Sequence, residues 1–160
     1  MILGMSTAAF TTLHVIISLI GIASGLAVVS AMRAGRRDDF WTTVFLGSTV
    51  LTSVTGFGFP FDHLLPSHKV GIVSLVVLVV VIVGRYATSL RGVWRWIYPA
   101  GCVLALYFNV FVLVVQLFQK VPALQTLAPT QSEAPFQGAQ LVVFALFAWL
   151  GFTAVKRFNP

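Results

Sequence analysis

The run "VGIVSLVVLVVVIVG", residues 70–84, decides the fold. Apart from two glycines and one serine it is built only of Val, Ile and Leu. In water so many β-branched residues would read as a buried strand. The chain around it forbids that reading. Its 160 residues are 58% hydrophobic and 9% charged, where a soluble domain carries about 25% charged residues. One domain of this length has nowhere to hide so much apolar surface. In a bilayer each backbone N–H and C=O must be paired within the protein, so an isolated apolar run becomes a helix. Ser67 just before the run can cap it, with Pro66 closing the preceding loop.

Outward from this run the pattern repeats. Spans are expected over residues 10–32, 40–60, 68–88, 96–118 and 138–155, each near the roughly 20 residues that a membrane helix needs. The expected fold is all-α: a polytopic bundle of five transmembrane helices, one domain over residues 1–160. Pro99 falls in the first turns of the fourth span, where a missing N–H costs little. The start, "MILGMSTAAFTTLH", has no basic residue ahead of its apolar run and therefore reads as a retained span, not a cleaved signal.

Charge orients the weave. Arg33, Arg36 and Arg37 follow the first span, Arg85, Arg91 and Arg95 lie at or between the ends of the third and fourth, and Lys156 and Arg157 follow the fifth. Only Lys69 and Lys120 fall on the other side. Positive-inside bias then puts the N-terminus outside and the C-terminus in the cytoplasm, and Trp41, Trp94 and Trp96 near the cytoplasmic ends fit an aromatic belt. Topology thus accounts for the net charge of +6, and no nucleic-acid partner is expected. The lone Cys102 rules out a disulfide framework within the chain and reads as a small buried apolar residue.

With that orientation His14, His63 and His68 gather at the outer face beside Asp62, Lys69 and Glu133. A histidine inside a span is costly and points to function. Ser18, Gly21 and Gly25 follow His14 at i+4, i+7 and i+11, and the small face around "GIASG" admits either a closely packed helix, with His14 simply hydrogen-bonded near the interface, or a flat ligand. His68 opens the third span at about the depth of His14 in the first. Two such imidazoles, His14 and His68, can hold haem b from both sides; with His63 they can hold a transition-metal ion. Asp62 or Glu133 would orient the ligands. The plainer reading of His63, His68 and Asp62 is a wet loop at the headgroups.

The outer loop "QKVPALQTLAPTQSEAPFQ", residues 119–137, is stiffened by three prolines and reads as a lid, a docking surface or a linker. Asn109 and Gln116 lie on nearly one face of the fourth span and need hydrogen-bond partners in lipid, from a neighbouring helix or along a polar path to the histidines. No phosphate-cradling glycine loop, HExxH, Ser-His-Asp set or pair of intramembrane carboxylates is present, so no catalytic residue is assigned. No inverted repeat marks a transporter.

The segments "LRGVWRWIYPAG", "YFNVFVLVVQLFQKVPAL" and "LAPTQSEAPF", in the second half of the chain, resemble the uncharacterised small polytopic inner-membrane proteins of proteobacteria. The resemblance implies a bacterial inner membrane and carries no functional residues with it. The leading expectation is an electron-transfer or redox accessory subunit holding haem b or a transition-metal ion at the outer histidines. Its rival is a cofactor-free structural or assembly subunit docking a larger membrane complex, and a small-solute transporter ranks third. Besides the lipid bilayer, the expected partner is another membrane protein or a second copy of the chain.

Overall fold

The computed structural model describes Ile2, residues 4–59 and residues 66–159. It is all-helical, with no β-strand among the described residues. Helix α1 runs Thr7–Arg33, α2 Asp39–Gly56, α3 Pro66–Ile82, α4 Trp94–Lys120, α5 Pro122–Leu127 and α6 Ala134–Arg157. A π-helical turn, Val83–Ala87, extends α3 toward the α3–α4 loop.

The long helices outrun the apolar runs because their polar ends remain helical as far as the caps. Ser6 accepts a hydrogen bond from the Ala9 N–H and starts α1 three residues before the apolar stretch. Asp38 does the same for α2 through the Trp41 N–H. Pro66 and Ser67 already lie within the third helix, so Ser67 does not cap it from outside. The outer loop shrinks accordingly to residues 121–133, and Pro122 opens the short α5 inside it.

Four helical segments are long and apolar enough to cross a membrane: Thr7–Arg33, His68–Ala87, Trp94–Lys120 and Ala134–Arg157. Helix α2 is not among them, although the sequence reads residues 40–60 as a span. Seven of its eighteen residues are Ser or Thr, and it begins on Asp39. Its length, about 27 Å at 1.5 Å per residue, is close to a bilayer core, so composition and not length sets it apart.

The helices close a ring in which α1 touches α2 and α6, α4 touches α3 and α6, and α2 touches α3; α1 and α4 also meet across the middle. Phe45, Leu106, Val28, Val81, Tyr98 and Cys102 fill the core at almost no exposure. Outward faces are apolar, with Val76, Val79, Leu141, Val142 and Phe144 exposed where lipid would lie.

The small face of α1 is a packing face. A Cβ on Gly25 would lie 2.7 Å from Leu106 Cδ1 and 2.8 Å from the buried Phe45 ring. One on Gly21 would meet Ser48 Oγ, Thr49 Oγ1 and Asn109 Nδ2 at 3.3–3.4 Å. Side chains of α2 and α4 fill the space that a flat ligand would need. The Leu106 tip can swing aside, but the Phe45 ring, fully buried, cannot. Gly25→Ala is therefore expected to cost about 1–3 kcal/mol through overpacking. Gly47, with nothing within 4 Å of its added Cβ, is the control: Gly47→Ala should be neutral or gain up to about 1 kcal/mol in helix propensity. Thermal unfolding midpoints in detergent decide it, and equal midpoints for the two variants would mean that α1 does not depend on this close approach.

Candidate functional site

Two ends of the bundle carry polar chemistry. At the first, the C-terminal turn of α2 separates the two described histidines. His14, half-buried on α1, has Nδ1 2.8 Å from Thr55 Oγ1. The Thr55 hydroxyl donates to the Leu51 carbonyl one turn back, at 2.7 Å. Its only proton is spent there, so its oxygen accepts from His14, and Nδ1 carries the imidazole N–H. That leaves the Nε2 lone pair uncommitted by this contact. Phe59 packs edge-on against the His14 ring at 5.3 Å and 89°, and Phe10 against Phe59 at 5.0 Å. On the other flank, His68 is buried on α3 and stacks on Phe57 with ring centroids 5.4 Å apart. Thr55, Phe57 and Phe59 thus hold the two imidazoles on either side of one helix end.

His63 and Asp62 lie outside the described residues. Among the described residues no group of three or more His, Cys, Asp or Glu is placed to hold a metal. Glu133 is engaged with its own turn, its carboxylate accepting from the Thr130 N–H and hydroxyl and from the Ser132 N–H. Desolvation pushes the Glu133 carboxyl up, but hydrogen bonds from the Thr130 hydroxyl and from backbone N–H groups outweigh it and hold the carboxyl below its ordinary value. A depressed carboxyl stabilises this turn above the ordinary carboxylate pKa and loses that contribution as pH falls through the lowered one. The Pro-rich loop packs on its own helices, with Gln131 Nε2 donating to the Val115 carbonyl at 2.9 Å and Phe118 edge-on to Phe136. Asn109 Nδ2 donates to Thr49 Oγ1 at 3.2 Å, an interhelical bond between α4 and α2. Gln116 is half-buried on α4.

The second end is where sequence reasoning fell short. Arg85, read only as a boundary cation, is 7% exposed on the π-helical turn. Its Nη1 donates to Tyr98 Oη at 2.9 Å and its Nη2 to Asp39 Oδ1, while Nε is buried without a partner. Arg85 ties the start of α2, the π turn and the first turns of α4 into one knot. The Asp39 carboxylate is itself 74% exposed and also 3.8 Å from Arg37, so water screens this pair and its net contribution is modest. The sequence signal was present: Arg85 lies inside the expected span of residues 68–88, and a charge inside a span calls for a named partner.

Comparison with protein-family models, curated proteins and solved structures returned no match.

The Thr55 contact makes a spectroscopic prediction. With ¹⁵N-labelled histidine, His14 should report a neutral ring protonated at Nδ1, Thr55→Ser should preserve it, and Thr55→Val should move it toward the Nε2–H form. A wild-type ring protonated at Nε2 would contradict the assignment.

Proposed function

We propose that the chain crosses a bacterial inner membrane five times, with its N-terminus outside, and serves an electron-transfer system as an accessory subunit. Its working end in this reading is the outer histidine end, where His14 and His68 hold a transition-metal ion with His63, or haem b between them. The observation that carries the reading is the Thr55 hydrogen bond to His14. Metal-ligating histidines almost always donate the other ring N–H to a fixed acceptor, which orients the ring and keeps one nitrogen basic. His14 has that arrangement in a setting where a polar ring has no cheap alternative.

The surroundings favour the ion over haem. Phe57 covers one face of His68 and Phe59 meets the His14 ring, and the glycine face below is filled by Phe45 and Leu106. A porphyrin needs a flat slot beside its ligands, and an ion does not. Imidazole donors suit copper, iron, nickel and zinc, of which copper and iron supply one-electron chemistry when bound. The chain's own contribution is to fix the His14 tautomer through Thr55, to exclude water with Phe10, Phe57 and Phe59, and to hold two helices against one helix end.

The crossing number is supported by packing. Helix α2 meets α1 through Phe45 and Gly25 and again, about 16 Å farther along, through Thr55 and His14, so it runs antiparallel to α1 over that stretch.

Metal analysis and a visible spectrum of protein purified without chelator, repeated on three variants, test the site. For an ion, His14→Ala and His68→Ala should each abolish loading and His63→Ala should lower it; for haem, His63→Ala should leave loading unchanged. Wild-type protein that carries neither metal nor haem under these conditions overturns the reading and leaves the docking subunit in its place.

A further inference from the structure

The basic end of α6 carries a stripe that neither the bundle nor the histidine site uses. Trp149, Phe152 and Lys156 follow one another at i, i+3 and i+7 and so share one face of the helix. Trp149 and Phe152 are 52% and 63% exposed, on a helix that faces lipid for most of its length. Lys156 Nζ lies 5.1 Å from the Phe152 ring centroid. From the neighbouring helix, Arg33 in the last turn of α1 lays its guanidinium 4.3 Å from the Trp149 ring centroid. Two cations from two helices therefore sit on one aromatic stripe, and exposed Arg157 follows Lys156 in the same last turn.

Among the described residues none of the three has an anion. The ion pairs among the described residues are Arg37–Asp39 and Arg85–Asp39, and the Asp38 carboxylate caps α2. Arg33 Nε is buried with no hydrogen-bond partner. The guanidinium as a whole is only half-buried, so the indole holds its charge in place at the edge of the bundle. Stacking has already removed most of the rotamer freedom that binding an anion would otherwise cost. Below the cations lies exposed aromatic surface at membrane depth.

We propose that Arg33, Lys156 and Arg157 form a headgroup site for an acidic phospholipid at the α1–α6 corner. The lipid phosphate would take hydrogen bonds from Arg33 and charge from Lys156 and Arg157, while its first acyl carbons lie along Phe152 and Trp149. A basic cluster at a membrane surface attracts anionic lipid in any case. What this corner adds is a pair of fixed cations over an apolar bed, which selects phosphate and chain together. A free anion satisfies only half of that chemistry.

The test is a titration of the purified protein in neutral detergent, read by its thermal midpoint. Phosphatidylglycerol, phosphatidylcholine with the same acyl chains, and inorganic phosphate are the three probes. Phosphatidylglycerol should raise the midpoint saturably, and the other two should not. At roughly fivefold per surface cation, Arg33→Gln with Lys156→Gln should weaken the apparent affinity about 25-fold. Arg91→Gln with Arg95→Gln removes the same charge from the α3–α4 corner and should keep wild-type affinity. Lys156→Gln alone, at an exposed last-turn position, covers the case in which the double variant fails to fold, and should weaken binding about fivefold. Equal loss in both double variants, an unchanged affinity in Lys156→Gln, or an equal response to phosphatidylcholine or inorganic phosphate overturns the proposal.

Discussion

In hydrocarbon a hydroxyl without a partner is expensive, and α2 carries seven Ser and Thr residues. The neighbouring helices pack over these hydroxyls. Thr42, Ser48, Thr49 and Ser53 are buried in the bundle. Thr42, Ser48 and Thr55 spend their protons on carbonyls one turn back along the same helix. Thr49 accepts from Asn109, and Ser53 reaches Ser74 on α3 at 3.4 Å. The glycines of α1 let that helix close directly over this row. An apolar helix needs no such cover, and α6 accordingly keeps little of its surface inside the bundle.

The same row leads to the candidate site. Thr55 stands at its last turn, and the oxygen left free by its bond to Leu51 is the one that receives the His14 N–H. At the opposite end the helix begins on Asp39, which receives Arg85. Both ends of α2 are thus polar anchor points, one ring-based and one ionic, joined by hydroxyls that are largely satisfied within the protein. Thr52 Oγ1, buried without a partner, is the exception along the row.

Hydropathy made the apolar helices legible, because a run such as residues 70–84 has one stable form in lipid. It misjudged their ends: the Ser6 cap starts α1 three residues before its apolar run, while α2 stops at Gly56, short of the expected residue 60. His14 stood out in the sequence because a histidine inside a span is rare. Its partner did not, because which threonine of α2 faces it depends on the register of two helices, a tertiary fact with no local signature. Arg85 was visible but was assigned to the boundary, and the π-helical turn that draws it inward has no residue pattern of its own here. The pairing of Gly25 with Phe45 was legible only as a small face able to accept some neighbour.

In the proposed topology α2, despite its composition, crosses the membrane as the shielded partner of α1. Crossing number follows from the sides on which the two ends of the chain lie. Single cysteines at Thr7 and Asn159 in intact cells, treated with a membrane-impermeant thiol reagent, read those sides directly; Cys102 is fully buried and silent. With five crossings Thr7→Cys labels from outside and Asn159→Cys labels only after the membrane is opened. Labelling of both from the same side would mean an even number of crossings and an α2 that does not span.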